Sequence, residues 1–141
     1  MLTGKKIVLG VSGGIAAYKM ANVASMLSKL HADIHVVMTE NATHFITPET
    51  FEVLTGNHCY TDTFDRCMEL HVPHIALGTQ ADAILIAPAS ADVVGKIANG
   101  IADDMLTTCV LPATCPVMLA PSMNVHMYEN PIVQDNMKRL A

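Results

Sequence analysis

The stretch from Ile84 to Asp104, ILIAPASADVVGKIANGIADD, constrains the fold more than any other part of the chain. Its first four residues, Ile84-Leu85-Ile86-Ala87, are apolar without alternation, which suits a strand covered on both faces, as in a parallel sheet. The run stops at Pro88, passes through the small polar turn Ala89-Ser90-Ala91-Asp92 and enters a helical stretch. In sheets of this kind ligands bind at the carboxyl ends of the strands. Ser90 and the backbone N–H groups from Ala91 onward are therefore expected to face a crevice, with a helix N-terminus ready to receive an anion. The pattern predicts half of a cofactor site.

The 141 residues fit one domain, expected to span 1–141. Although 51% of them are hydrophobic, no uninterrupted apolar run approaches the roughly 18 to 20 residues of a membrane span. Lys5-Lys6 followed by IVLGVSGGIAA imitates the start of a signal peptide, but Ser12-Gly13-Gly14 cuts the apolar run and Tyr18-Lys19 follow where a cleavage region belongs. A soluble protein without membrane contact is expected. The net charge is -5, and the eight Lys and Arg are scattered except for Lys5-Lys6 and Lys138-Arg139, which argues against a phosphate-tracking nucleic-acid surface. Cys59, Cys67, Cys109 and Cys115 form no CxxC and no dense framework, so reduced thiols in a cytoplasmic protein are expected. With ten Met and no Trp, the core and any interface must be filled by aliphatic and Met side chains.

Lys6 to Val11 reads as a strand that halts at Ser12-Gly13-Gly14, and Ile15 to Leu30 carries apolar residues at helical spacing. The two glycines let backbone approach a bound group closely, and the turn reads equally as a phosphate cradle or as a tight structural turn. It matches neither GxxxxGK[ST] nor GxGxxG. Asp33 to Thr39 is the second strand; Glu40 at its end could hold a ribose, and Thr39 could offer its hydroxyl to a phosphate. Thr47 is a plausible N-cap with Pro48 at the first helical position, and residues 57 to 73 read as a surface excursion with at most a short strand. Pro73 suits a helix start. His74 beside it could orient a carboxylate or exchange a proton, although any single His among seven is more ordinarily a solvated or core-edge imidazole. Cys67, His71 and His74 could also bind zinc, but a fourth ligand at standard spacing is missing.

Ala81 to Ala87 is the third strand and Cys115 to Ala120 the last. Asp103-Asp104 opens a short helix, where two carboxylates favour the dipole. Asn124, shortly after the last strand, offers both a donor and an acceptor at the same crevice, or serves as an N-cap. Asn130-Pro131 starts a terminal helix. The succession predicts an α/β sandwich around a mostly parallel sheet, with the small polar turns at Ser12, Ser90 and Ser122 converging on one edge.

Taken together, GVSGGIAAYK, HIALG, APASADVVGKIANGIADDML and APSMNVHMY resemble the flavin-containing cysteine decarboxylases, with the closest likeness to those acting on phosphopantothenoylcysteine in coenzyme A biosynthesis. The resemblance spans essentially the whole chain. It implies a flavodoxin-like, Rossmann-like three-layer fold binding FMN, in trimers that build dodecamers with the flavin at a subunit interface. By position, Ser12, Gly13, Gly14, Ile15 and Thr39 would hold the phosphate and ribityl side. Ser90, Ala91, Asp92 and Val93 match the segment that wraps FMN, and Ser122 matches a flavin contact. His74 matches the catalytic histidine and Asn124 the asparagine that binds the substrate carboxylate. The family reaction oxidises the cysteine moiety to a thioaldehyde at the flavin, loses carbon dioxide to give an ene-thiol, and then reduces it to phosphopantetheine.

The chain departs from that pattern in three places. Asp92 and Val93 stand where many relatives have Asn and Thr, and Asp103 where Asn is frequent. Relatives also continue past the terminal helix into a flap that clamps the substrate and carries a cysteine needed for the final reduction. The sequence ends at Ala141, and none of its four cysteines takes that place. The expectation is FMN binding and oxidative decarboxylation with poor completion of the reduction. A decarboxylase acting on the C-terminal cysteine of a peptide, and a non-catalytic flavin-binding regulatory subunit, are the alternatives.

Overall fold

In the computed structural model, which describes residues 1–65 and 73–141, the β-branched run Lys6–Val11 forms β1 in the interior of a four-stranded sheet of order β2-β1-β3-β4. The other strands are β2 (Asp33–Met38), β3 (Ala83–Ala89) and β4 (Val117–Pro121), and every pairing is parallel. Leu9 of β1 lies opposite Val36 of β2 on one side and Leu85 of β3 on the other. The chain runs outward from β1 to β2, then returns to place β3 on the far side of β1. The strand order therefore reverses between β1 and β3, as in flavodoxin-like sheets, and leaves a crevice at their carboxyl ends.

Side chains alternate across this sheet with period two, and both faces are covered. Leu9, Val11, Ile34, Val36 and Met38 form a core with a 3-10 turn (Ile15–Lys19), α1 (Met20–Lys29) and α2 (Pro48–Thr55). Val8, Val37, Ile84 and Ile86 form a second core with α3 (Pro73–Gln80), α4 (Ala91–Ala98) and α5 (Met105–Val110). Beyond β4, α6 (Val125–Tyr128) leads to α7 (Pro131–Leu140), which packs on α4. The double cover explains why Ile84 to Ala87 shows no polar alternation. Gly78 lets α3 close on α5, because a Cβ there would overlap the Cys109 carbonyl oxygen.

Several boundaries differ from the sequence-based expectation. The helix over Ile15 to Leu30 is split, its first turn drawn into 3-10 geometry by the Ala17 N–H bonding to the Gly14 carbonyl at 3.0 Å. β3 begins two residues later than expected; just before it Asp82 pairs with Lys6 through one backbone bond, its N–H donating to the Lys6 carbonyl at 2.8 Å, while its carboxylate accepts the Lys6 N–H at 2.8 Å. It then continues through Pro88, whose preceding peptide bond is cis, and pairing with β4 resumes beyond an irregularity at Ala89 opposite Pro121. Cys115 lies outside β4, which starts after Pro116. Thr47 occupies the N-cap of α2, but its hydroxyl meets the Thr50 hydroxyl at 3.1 Å and caps no backbone N–H. In the excursion after α2, Tyr60 adds a parallel bridge to Val37 on the outer side of β2. Cys67 and His71 lie outside the described residues.

Candidate functional site

Backbone and side-chain hydrogen bonds stitch the strand ends into one row. The Ser12 hydroxyl, fully buried, donates to the Pro88 carbonyl at 2.5 Å and accepts the Ser90 N–H at 2.9 Å. The Ser122 N–H in turn donates to the Ala89 carbonyl at 3.1 Å. The three turns expected to converge therefore do so, in the order Ser12, Ser90, Ser122. Ser12 itself acts as a brace between β1 and β3, with its hydroxyl proton given to the Pro88 carbonyl. What the first turn offers a ligand is backbone. Ser122 has an exposed side chain.

Above the switch point lies a cavity of about 220 Å³ lined by four segments: the turns after β1 and β2, the β3–α4 turn with the start of α4, and the loop before α5. Gly13, Thr39, Ser90, Asp92 and Val93 line it, together with Glu40, Asn41, Lys96, Asp103 and Asp104. Gly13 is required there, since a Cβ would stand 2.5 Å from the Asn41 Cβ. This contact presses the loop after β1 onto the loop after β2. The Thr39 hydroxyl accepts the Ala42 N–H at 3.2 Å, which keeps its own proton available for a further acceptor. Ser90 caps α4, its hydroxyl accepting the Val93 N–H at 3.3 Å. Ala91 and Asp92 are the first helical residues, whose N–H groups have no intrahelical acceptor, and Asp92 lines the cleft. Ile15, 80% exposed, Gly14 and Ala91 do not line the cavity.

Carboxylates surround this opening. Asp104 is consumed by α5, where it accepts the Thr107 N–H at 2.8 Å while the Thr107 hydroxyl returns to the Asp104 N–H at 3.2 Å. Asp92 and Asp103 both reach the Lys96 ammonium, at 3.3 and 3.2 Å. Burial pushes the Lys96 pKa down, but the hydrogen bonds its ammonium donates to Asp103 and Asp92 outweigh it and hold the group above its ordinary value. The composition of this cleft was missed by motif reading. Asp103-Asp104 was legible as a helix start, and Lys96 stands one turn after Asp92, a spacing that signals an ion pair.

His74 is in the first turn of α3. The other end of that helix is fixed at the amino edge of the sheet, where Lys6 donates to Gln80 at 3.4 Å, so His74 stands at the carboxyl edge with the cleft. Its Nδ1 is shielded from solvent and has no hydrogen-bond partner among the described residues. Asn124 is exposed and caps α6, its Oδ1 accepting the His126 N–H at 2.8 Å. That bond leaves the amide NH2 as a donor toward the same edge. Neither His74 nor Asn124 lines the cavity within this single chain. Among the described residues no group of three His, Cys, Asp or Glu side chains is placed to hold a metal ion, and two members of the zinc reading, Cys67 and His71, lie outside them.

The architecture has close counterparts. The coenzyme A biosynthesis bifunctional protein CoaBC of Bacillus subtilis is 49% identical over 99% of this chain, and the chain spans about a third (34%) of that protein's length. Among solved structures, the FMN-dependent cysteine decarboxylase SpaF superposes with a TM-score of 0.91 at 37% identity, covering 99% of this chain and 81% of its own. A cysteine-to-serine mutant of PPC decarboxylase complexed with pantothenoylaminoethenethiol superposes with a TM-score of 0.83 at 31% identity, covering 96% of this chain and 76% of its own. The Flavoprotein family model matches residues 1–141. With its parallel sheet, its reversal of strand order and that match along its full length, the chain belongs to the flavoprotein family.

Proposed function

We propose that this chain is an FMN-dependent decarboxylase domain that converts phosphopantothenoylcysteine to phosphopantetheine in coenzyme A biosynthesis. The residues present fit the cofactor. Gly13 lines the cleft with bare backbone, the Thr39 hydroxyl has a proton to donate, and the first N–H groups of α4 favour an anion. A bound oxidised flavin would supply the electron-accepting ring that a cysteine amide lacks for decarboxylation. Asn124 would hold the substrate carboxylate through its free amide N–H groups, and His74 would orient the substrate or move a proton.

The observation that carries the catalytic half of this reading is the buried Nδ1 of His74, without a protein partner among the described residues. Leaving such a nitrogen unpaired costs about 1–3 kcal/mol, and a group brought by substrate, cofactor or a neighbouring subunit removes the cost. Homo-oligomerisation, as trimers, is part of the same proposal. Ile15, Val53 and Phe64, at least 80% exposed, and Ile132, 71% exposed, give this chain apolar surface to cover. So is residence in the cytoplasm; among the described residues no helix is long and apolar enough to cross a membrane.

The test is the visible spectrum of the purified protein, mass identification of the released cofactor, and product analysis with phosphopantothenoylcysteine. Flavin bands, FMN close to one per chain and carbon dioxide release are expected, and His74→Asn should abolish release while the flavin stays bound. A colourless protein that cannot be reconstituted with FMN refutes the proposal.

A further inference from the structure

Among the described residues lining the cleft, Glu40, Asp92, Asp103 and Asp104 are acidic and Lys96 is the one cation. Such a surface repels the phosphate-bearing ligand that the N-terminus of α4 is built to attract. The geometry resolves the conflict. Asp104 spends its carboxylate on the start of α5, through the Thr107 N–H and hydroxyl. Asp92 and Asp103, from two different elements, converge on one ammonium with its side chain 24% exposed. Asp92 is the second residue of α4, beside the unspent N–H groups, and Lys96 is one turn further along the helix. The pair therefore draws the Asp92 carboxylate along the helix, away from its N-terminus.

We propose that Lys96 is a positioning residue for an anionic cofactor: by drawing Asp92 aside and offsetting one of the two charges of Asp92 and Asp103 it makes the potential that the first turn of α4 presents to the ligand's phosphate less negative. This rests on the flavin reading above. An ordinary exposed pair at this spacing would stabilise the helix slightly and leave ligand affinity alone.

The experiment titrates the apoprotein with FMN, and with riboflavin as a probe lacking the phosphate, following quenching of flavin fluorescence. Lys96→Met should weaken FMN binding roughly tenfold, the scale of one missing charge in a partly exposed site, and change riboflavin binding little. Lys96→Arg should keep FMN affinity, and Asp92→Asn added to Lys96→Met should restore most of the loss. Asp92→Asn alone should bind FMN more tightly than the parent, a measurement that stands even where Lys96→Met fails to fold. Unchanged FMN affinity in Lys96→Met, equal losses for both flavins, or no tightening in Asp92→Asn would overturn the assignment of Lys96. If the parent itself binds neither flavin, the functional reading fails first and this one with it.

Discussion

Replacing Ser12 by Ala separates a structural brace from a ligand contact. The Ser12 side chain is fully buried, and its hydroxyl both donates to the Pro88 carbonyl and accepts from the Ser90 N–H. In the variant the Pro88 carbonyl keeps the Ser12 backbone N–H at 3.3 Å, whereas the Ser90 N–H loses the side-chain acceptor that holds it. One net hydrogen bond is worth about 1 kcal/mol and a stranded, partly buried amide about 1–2 kcal/mol more. The sum is a loss of roughly 2–3 kcal/mol. At about 3 °C per kcal/mol for a domain of this size, the melting temperature should fall by about 6–9 °C. The assay is thermal unfolding of the ligand-free protein by circular dichroism, with Ser122→Ala as the control. The Ser122 side chain is exposed, so that change should stay within about 0.5 kcal/mol. A ligand-free Ser12→Ala protein that melts within about 1 °C of the parent would refute the brace and return Ser12 to the role of a direct phosphate contact.

Gly78→Ala should be more damaging than its size suggests, by about 2–3 kcal/mol in urea denaturation, because the added methyl meets the Cys109 carbonyl and the Pro112 ring and must push α3 from α5. Burial pushes the Cys59 and Cys109 thiols up to about 12, so at pH 8 a thiol reagent should label partly exposed Cys115 well before either, as read by peptide mass mapping. Burial also raises the Asp33 pKa, but hydrogen bonds from His35 and Asn57 prevail and hold it below its ordinary 3.8. The stability this carboxylate contributes is thus present above that value and is lost as pH falls through the lower folded value, so acid titration of Asp33→Asn should show a shallower decline below about pH 4 than the parent.

Parallel strands leave a direct mark on sequence, and Lys6–Val11, Asp33–Met38 and Ile84–Ala87 carried it as compact apolar runs. The turns that end them were equally legible, because Ser12-Gly13-Gly14 and Pro88-Ala89-Ser90 are what a chain needs to leave a strand and enter a helix. Family likeness then matched residues to roles. None of this could show that Ser12 is a brace, since its partners Pro88 and Ser90 are more than seventy positions away and meet it only through the β1–β3 register. The same holds for Gly13, whose necessity comes from Asn41 on another loop. Asp92 was legible only as a departure from the Asn of many relatives, and its sharing of the Lys96 ammonium with Asp103 needed the fold.

Hydrophobic pattern and turn chemistry are local properties, so the chain's own order sufficed to determine an α/β class, a parallel sheet and the edge where a ligand belongs. Which hydroxyls are spent, which carboxylates are neutralised and which His74 nitrogen is left buried without a partner depend on distances between segments far apart in sequence. Those distances are set by strand register and helix packing, and only the tertiary structure decides them.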